Sequence, residues 1–325
     1  MPGSSSPLID ALKAAGEPTR LRILTLLQQG ELSVGELVKI LDQSQPRLSH
    51  HLKTLTQGGL VQRFPEGAWV FYRLSRQQPA KSLLQAIFSE LDTDNAPFHT
   101  DREALNHVRQ ARAESAENFF ADIASRWDRL RGLHYPETEI EAAVLAAAGH
   151  GPFERVVDLG TGTGRMMILF GDRATEIEGL DLSHQMLTLA RANLVESGIS
   201  NAHVRHGYVE QAPFQDGSAD LIIVHQVLHY LEAPEQALRE AARILKSEGC
   251  LLVVDFAPHE LEFLRESAGH RRLGIRNEDM ADWLIEAGLE FEQTQSFEPP
   301  SALEEGLEVK LWKIRKPPIA EGVYP

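Results

Sequence analysis

Apolar residues recur at helical spacing through roughly the first 90 positions of the chain. Leu21, Leu24 and Leu27 share one face of a predicted helix, and further apolar stripes follow in GELSVGELVKIL and PRLSHHLKTLTQGGLV. Only the polar stretch DQSQ separates these last two segments, and Ser44 followed by Pro46 is typical of a helix start. Two helices joined by about four residues predict a helix-turn-helix.

The pattern then changes to two short runs of β-branched and aromatic residues. VQRFPEGAWVFYRLS contains both runs around the turn sequence PEG, which predicts a β-hairpin beside the helices, the wing of a winged helix. A further apolar helix, AKSLLQAIFSEL, closes this unit, and LDTDNAPFH has no periodicity. We therefore predict a winged helix-turn-helix domain over 1–92 and a linker or connecting helix over 93–117.

From residue 154 onward, apolar strands alternate with amphipathic helices. The strands are predicted in RVVDLG, EIEGLDL, AHVRHG, ADLIIVH and CLLVVDF, with helical segments such as PEQALREAARIL between them. This alternation predicts a parallel sheet covered by helices. LEFEQTQSF and LEVKLWKIR add two strands, so we expect a Rossmann-like α/β domain over 118–325 with a mainly parallel seven-stranded sheet.

Charge distinguishes the two parts of the chain, whose formal net charge is −15. Residues 1–95 contain 10 of the 32 basic and 9 of the 47 acidic residues, so the remainder contains 22 and 38. An acidic chain with one segment that is not acidic favours nucleic-acid contact by that segment, although chance also produces such an imbalance.

Composition also bears on the compartment. The single cysteine, Cys250, cannot form an intramolecular disulfide and fits a reducing environment. No apolar run approaches the ~20 residues of a membrane span, and the first residues lack the basic and apolar regions of a signal peptide. We expect a cytoplasmic protein without membrane contact.

The second helix of the helix-turn-helix presents polar side chains outward if Leu48, Leu52 and Leu55 are buried. Such a face suits base edges and phosphates in a major groove, and arginines of the hairpin suit the neighbouring backbone. The alternative is the solvated face of a small protein-binding domain. The residues that we expect to contact DNA are Ser44, Gln45, Arg47, Ser49, His50, Lys53, Arg63 and Arg73.

Residues 8–92 resemble the ArsR/SmtB family of winged-helix repressors through EPTRLRILTLL, ELSVGEL, QPRLSHHLKTLTQGGLV and GAWVFYRL. The resemblance implies a homodimer, formed through the first and last helices of the domain, on a partly palindromic double-stranded DNA operator. Metal-sensing members have two thiolates where this chain has Ser33 and Gly35. Neither residue replaces a soft thiolate ligand, so we predict no metal site.

A glycine-rich loop follows the first strand of the second domain. VVDLGTGTGR places Gly160, Gly162 and Gly164 where a strand turns into a helix, so the backbone can approach a ligand closely. Asp181 ends the next strand about 20 residues later, a separation typical of a carboxylate that binds ribose hydroxyls. The spacing GxGxG, with Asp158 two residues before the first glycine, differs from the dinucleotide-binding pattern.

The pattern D-x-G-x-G-x-G resembles motif I of class I S-adenosylmethionine-dependent methyltransferases, and the resemblance covers about residues 118–315. It implies a site for S-adenosylmethionine or its product S-adenosylhomocysteine, with Asp158 at the ammonium group and Asp181 at the ribose. Family members usually have an acid that binds the adenine amino group where this chain has Tyr208. We therefore expect Tyr208 and the Val209 N–H to contact the adenine. The cofactor residues implied are Asp158, Gly160, Thr161, Gly162, Gly164, Asp181, Leu182, Met186, Tyr208, Val209 and His225.

No catalytic residue follows from the motifs alone. His225, His229, Tyr230 and Tyr135 are candidates for the surroundings of the transferred methyl group, and packing is the alternative role of the two histidines. Arsenite methylation needs several thiols, which a chain with one cysteine lacks. The methyl acceptor stays unknown. Further along, we expect a lid or polar substrate site from His259, His270, Arg271 and Arg272.

Three functions remain open. The chain is a regulator whose second domain senses a ligand, a small-molecule methyltransferase that also binds DNA, or an enzyme that its winged domain only dimerises. The polar face of the recognition helix argues against the third. We favour a DNA-binding repressor that responds to S-adenosylmethionine or S-adenosylhomocysteine rather than to a metal, which requires the ligand to bind DNA-competent and incompetent dimers differently.

Overall fold

The computed structural model describes residues 6–66, 69–75, 77–94, 96–112, 137–299 and 306–318. The chain divides into two compact units, Met1–Glu114 and Ser115–Pro325, and each contains one β-sheet. No helix in the described part of the chain is long and apolar enough to cross a membrane.

The first unit is a winged helix-turn-helix, as predicted. Its elements in chain order are α1 (Pro7–Ala15), α2 (Pro18–Gln28), β1 (Leu32–Ser33), α3 (Val34–Leu41), α4 (Gln45–Gln57), β2 (Val61–Glu66), β3 (Trp69–Leu74), α5 (Ala80–Glu90) and a helix α6 described over 98–112.

Helix α3 begins at a capping box. The Glu36 N–H donates to the Ser33 hydroxyl at 3.3 Å, and the Ser33 N–H donates to the Glu36 carboxylate at 2.7 Å. Such a reciprocal pair satisfies two backbone donors that the first turn of a helix leaves open. Ser33 therefore acts as the N-cap of α3, and its side chain takes part in the capping box.

The helix-turn-helix and the wing share one core. Leu48, Leu52 and Leu55 of α4 are each 0% exposed, as the spacing of the helix predicts. Strands β2 and β3 pair antiparallel from Val61–Leu74 to Glu66–Trp69, and β1 pairs with the other edge of β3. The hairpin is therefore anchored on both sides of its second strand.

Helix α6 belongs to the first unit. Leu105 is 2% exposed within the same core, and both carboxylate oxygens of Asp101 accept from the Arg22 guanidinium, at 2.7 and 2.5 Å. The helical part of the predicted connecting segment thus packs against the winged helix. The continuation of this helical pattern toward Arg131 lies outside the described residues.

The second unit alternates strands and helices. Its elements are α7 (Glu137–Ala148), β4 (Phe153–Leu159), α8 (Arg165–Leu169), β5 (Ala174–Asp181), α9 (His184–Glu196), β6 (Ala202–His206), β7 (Ala219–His225), α10 (Pro234–Ile244), β8 (Leu245–Phe256), α11 (Phe263–Ser267), α12 (Asn277–Ala287), β9 (Glu290–Phe297) and β10 (Val309–Arg315).

These strands form one sheet in the order β6-β5-β4-β7-β8-β10-β9. The first five are parallel, and β10 runs antiparallel to both β8 and β9. This is the mainly parallel seven-stranded sheet predicted from the sequence. Strand order reverses at β4 and β7, and open α/β sheets bind ligands at the carboxyl ends of strands beside such a point.

Apolar side chains cover both faces of the sheet, because alternate residues of a buried parallel strand point to opposite sides. One cluster includes Val157 and Leu180 and packs around α10, and the other includes Val156 and Ile177 and packs around α9. With both faces closed, a ligand can reach the strands only at their ends.

Candidate cofactor and nucleic-acid sites

The glycine loop joins β4 to α8 at the carboxyl edge of the sheet. The N–H groups of Gly160 and Thr161 both donate to the Leu180 carbonyl, at 2.7 and 2.9 Å. Gly160 and Gly162 have φ angles of 80° and 52°, which glycine adopts without strain. A Cβ on Gly160 would lie 2.2 Å from Val227, whereas one on Gly162 would meet nothing within 4 Å. The loop therefore contacts the segment after β7 and leaves its middle open to a ligand.

Asp158 lies beneath this loop and is 1% exposed. Its Oδ2 accepts from the Thr161 hydroxyl at 2.6 Å, while Oδ1 has no hydrogen-bond partner among the described residues. Burial raises the pKa of Asp158 to about 7; the Thr161 bond opposes the rise and the charge of Asp181 adds to it. A buried carboxylate oxygen without a donor is a ready acceptor for a cationic group.

Asp181 ties the glycine loop to the start of α9. Its two carboxylate oxygens accept from the N–H groups of Gly162 and Ser183, both at 2.8 Å. The Ser183 hydroxyl in turn accepts from the N–H of the half-buried Met186 at 3.3 Å. Burial raises the pKa of Asp181, and these backbone bonds oppose the rise. A carboxylate has about four acceptor positions, so Asp181 can hold the loop and still accept from ribose hydroxyls.

The turns after β5 and β6 supply the remaining predicted cofactor residues. Leu182 and Tyr208 are 50% and 60% exposed, and Val209 is buried. Between these turns the rings of His184 and His206 stack, with centroids 4.0 Å apart and an interplanar angle of 8°. The edge of the site beyond Asp181 is therefore lined by apolar and aromatic side chains, with no carboxylate at position 208.

The loop after β7 carries the predicted catalytic candidates. His225 ends the strand and is half-buried, and Tyr230 is 42% exposed. Between them Gln226 has a φ of 56°, and its N–H donates to the Val254 carbonyl at 2.7 Å. A non-glycine residue in this region is strained and has to be held by its surroundings. Tyr135, the remaining candidate, lies outside the described residues.

His229 is 1% exposed and is held by Asp255, which is 0% exposed. The ring Nδ1 lies 2.7 Å from Asp255 Oδ1, and the His229 N–H donates to Oδ2 at 3.3 Å. Because a carboxylate accepts, we assign the proton to Nδ1 and the lone pair to Nε2. That Nε2 has no hydrogen-bond partner in the described parts of the chain.

Two further histidines pack against His229. The His270 ring lies 4.2 Å from that of His229 and 6.3 Å from that of His259. Burial is the main cause that lowers the pKa of His270 to about 4; the neighbouring His229 and His259 act in the same direction and Asp255 opposes them. The N–H groups of Arg271 and Arg272 donate to the His229 carbonyl at 3.0 and 3.1 Å. The segment that the sequence predicted as a lid or substrate site therefore packs onto the loop that carries His229.

These strand ends fit the group that the sequence resemblance implies. The unpartnered oxygen of Asp158 suits an ammonium group, the open backbone at Gly162 suits an extended chain, and Asp181 suits a ribose diol. The same features are complementary to S-adenosylmethionine and to S-adenosylhomocysteine.

The predicted recognition helix α4 presents its polar residues to solvent. Ser44 precedes the helix as its N-cap residue, and its side chain makes no capping bond. His51, by contrast, is 8% exposed, with Nδ1 3.5 Å from Glu17 Oε2, so it packs inside the unit. Of the residues predicted to contact DNA, those exposed at this helix are Ser44, Gln45, Arg47, Ser49, His50 and Lys53.

The two arginines predicted in the wing differ in exposure. Arg63 is exposed on β2. Arg73 on β3 is only 6% exposed, because its guanidinium lies over the Phe64 ring at 4.4 Å and its Nε donates to Gln62 at 3.2 Å. The expectation that Arg73 reaches the DNA backbone is therefore corrected: its side chain folds back onto the hairpin.

A carboxylate, Glu36, stands beside the two positions that lack thiols. Both of its oxygens accept from the Arg112 guanidinium, at 2.6 and 2.7 Å, while it also completes the capping box with Ser33. The Arg112 charge and bonds outweigh burial and lower the pKa of Glu36. The start of α3 is thus bound to the last described turn of α6.

Sequence reasoning missed Asp255 and the partnership of Glu36 with Arg112. Asp255 lies near the carboxyl end of a strand, as Asp158 and Asp181 do, and that shared position was an available signal. Glu36 and Arg112 are 76 positions apart, and no local pattern connects them.

Known proteins resemble the two units separately. Residues 17–63 match the bacterial regulatory protein arsR family, and residues 157–253 match a methyltransferase domain family. The arsenical resistance operon repressor of Escherichia coli K12 is 47% identical over 73 residues, which are 22% of this chain and 62% of the repressor. The ubiquinone/menaquinone biosynthesis C-methyltransferase UbiE of Vibrio cholerae is 34% identical over 179 residues, 50% of this chain and 67% of that enzyme.

The chain spans between about half and two thirds of the length of the curated relatives it matches. Among solved structures, a chain from the complex of the Haloferax volcanii Trm112 methyltransferase activator with a methyltransferase superposes with a TM-score of 0.50. Its sequence is 22% identical, and the match covers 62% of this chain and 98% of that chain. At this identity the likeness concerns the fold.

Proposed function

We propose that the chain is a DNA-binding transcriptional repressor whose second unit binds S-adenosylmethionine or S-adenosylhomocysteine as the signal. The chain belongs to the class I methyltransferases through this second unit, and its first unit carries an arsR-family helix-turn-helix region. We also propose that its operator is double-stranded DNA and that the protein is cytoplasmic.

In this proposal the cofactor residues have distinct roles. Asp158 accepts from the ammonium group, the backbone of Gly160, Thr161, Gly162 and Gly164 borders the methionine portion, and Asp181 binds the ribose hydroxyls. S-adenosylmethionine would supply an electrophilic methyl group, and His225 is the residue after β7 that we expect to border the bound cofactor. The residues that surround the adenine are Leu182, Met186, Tyr208 and Val209.

The bond between Glu36 and Arg112 is the observation that most supports a response to a ligand rather than to a metal. Ser33 and Gly35 offer no soft ligands, whereas Glu36 joins α3 to α6, the last described helix before the chain continues to the second unit. Helix α3 packs against the recognition helix α4. A shift of α6 would therefore move the element that supports the DNA-reading face.

Homodimerisation is proposed from the first helix. Leu8, Ile9 and Leu12 of α1 are 44%, 46% and 49% exposed, an apolar face that a second copy would cover. A twofold dimer presents two equal recognition helices and so reads a partly palindromic site.

Calorimetry of the full chain tests the ligand site. We expect heat from both S-adenosylmethionine and S-adenosylhomocysteine, and Asp181→Ala should weaken binding by about 2 kcal/mol because bonds to a charged group are lost. Below about pH 7, binding should also release a proton, since the ammonium group favours ionised Asp158, whose pKa is about 7 in the ligand-free protein. No heat from either ligand would end the proposal.

A working small-molecule methyltransferase is the second candidate function. It is favoured by the buried His229–Asp255 pair, which ligand sensing alone does not require. It is also consistent with the similarity to UbiE, which is described as a C-methyltransferase.

A further inference from the structure

We propose that His229 and Asp255 form a proton-accepting pair that serves a small acceptor with a hydroxyl group on an aromatic or conjugated ring. The acceptor would lie against Tyr230, Phe256, His259 and His270. This inference rests on the proposed cofactor site and adds a catalytic function to the regulatory one.

The fold brings this pair to the cofactor site through the loop after β7. A Cβ on Gly160 would lie 2.2 Å from the side chain of Val227, so this loop and the glycine loop are in direct contact. His229 follows Val227 by two residues, and Asp255 lies at the same carboxyl edge of the sheet as Asp158. The loop is held in a strained form at Gln226, where φ is 56°.

The hydrogen bonds of His229 leave one nitrogen available. Asp255 Oδ1 lies 2.7 Å from Nδ1 and also accepts from the Phe256 N–H at 2.8 Å, which fixes the carboxylate and the ring. Nε2 then carries a lone pair, is buried in the ligand-free protein, and has no partner within the described ranges. A buried polar atom of this kind calls for an explanation, because leaving it unbonded is unfavourable.

Other polar atoms in this region are likewise buried without a hydrogen-bond partner among the described residues. They include Gln226 Nε2, His259 Nε2 and His270 Nδ1. His259 and His270 belong to the same group of rings as His229, with centroids 4.2 to 6.3 Å apart. Several unsatisfied polar atoms beside one loop are expected where a polar ligand completes the hydrogen bonds.

The pair and its surroundings favour a phenolic acceptor. A phenolic hydroxyl has a pKa of about 10, much closer to the range in which imidazole titrates than the hydroxyl of water, at about 15.7. The rings of Phe256 and His270 are stacked, with centroids 5.7 Å apart, and Tyr230 lies edge-on to His270 at 5.4 Å. Aromatic side chains in this arrangement suit a flat ring better than an aliphatic alcohol.

The balance of the step follows from this assignment. The acceptor O–H bond breaks and its proton passes to Nε2 of His229. His229 becomes an imidazolium, which the carboxylate of Asp255 stabilises. The oxygen keeps the electron pair and forms the O–CH3 bond as the sulfonium S–CH3 bond breaks, which leaves neutral S-adenosylhomocysteine. The proton then leaves His229 for solvent.

Nuclear magnetic resonance of the full chain, labelled with 15N only at histidine and saturated with S-adenosylhomocysteine, tests the pair. We expect His229, assigned with His229→Gln, to be protonated at Nδ1 and unprotonated at Nε2. Added phenol should shift the Nε2 resonance, whereas anisole, which has the same ring without the O–H, should not. His203, a buried histidine of β6 outside this cluster, is the internal control.

A protonated Nε2, equal shifts with phenol and anisole, or no shift with either would overturn the inference. A purely structural pair gives the expected tautomer but no response to phenol, so the second measurement separates the two roles. Calorimetry on the same sample shows whether S-adenosylhomocysteine is bound, and absence of binding would defeat the proposed function as well as this inference.

Discussion

Asp158 destabilises the ligand-free protein at neutral pH, because burial raises the pKa of its carboxyl from 3.8 to about 7. The folded state binds this proton more tightly than the unfolded chain, so stability falls as pH rises from about 4 and the loss is complete above about 7. The upper bound of this loss is about 4 kcal/mol. Asp158→Asn should therefore raise the Tm measured by scanning calorimetry, with a gain that grows from pH 5 to pH 7 and then levels off. A gain that is independent of pH would contradict this assignment.

The two wing arginines make a matched pair for a second test. Arg63→Ala should weaken operator and random DNA alike and flatten the salt dependence, because we propose that this exposed guanidinium contacts a phosphate. Arg73→Ala should instead lower the free energy of unfolding by about 1 kcal/mol, since its bond to Gln62 and its contact with Phe64 are lost. Denaturant titrations and fluorescence anisotropy measure the two effects, and a reversal of the two phenotypes would refute the reported difference in exposure.

At the scale of elements, recognition helix α4 should carry base discrimination. Ser49→Ala or His50→Ala should weaken the correct operator by about 1–3 kcal/mol and leave random DNA almost unchanged. The reason is that both side chains are exposed on a helix that Leu48, Leu52 and Leu55 anchor. Anisotropy with the two DNAs measures this, and equal losses on both would assign these residues to phosphate contacts instead.

Helix α6 should transmit the ligand signal through Arg112. Arg112→Ala removes the bidentate bond to Glu36 and should reduce the effect of S-adenosylhomocysteine on operator affinity, while calorimetric affinity for the ligand stays the same. Arg109→Ala is the control, because Arg109 lies on the same helix but donates to the Gln29 carbonyl, at the end of α2, at 2.7 Å. An undiminished response in Arg112→Ala would place the coupling elsewhere.

The elements of both units could be predicted because their signals are local. Leu48, Leu52 and Leu55 fix the buried face of α4, and the strands that end at Leu159, Asp181 and His225 are visible as apolar runs. The missed features depend on tertiary contacts. Arg73 folds onto Phe64 across the hairpin, and Asp255 meets His229 from another strand end, so neither could be read from spacing along the chain.

At the scale of the whole molecule, net charge limits how much electrostatic attraction can contribute to DNA affinity. The chain has a net charge of −15, and residues 1–95 contribute 10 basic against 9 acidic residues. Phosphate attraction alone is therefore weak at physiological salt, and affinity for the operator has to come mainly from base contacts. A protein with so little non-specific attraction is readily released when a ligand weakens those contacts. Allosteric coupling is reciprocal, so if a ligand changes the affinity for the operator, bound operator must change the affinity for that ligand by the same factor.

Titration of the full chain with its operator, selected from genomic DNA, most directly tests the ligand response. Anisotropy should be recorded with no ligand, with saturating S-adenosylmethionine and with saturating S-adenosylhomocysteine. We predict that at least one ligand changes the operator Kd by about 5-fold or more, the usual lower range of allosteric coupling. A Kd that is the same in all three titrations, while calorimetry shows the ligands bound, would contradict a ligand-responsive repressor.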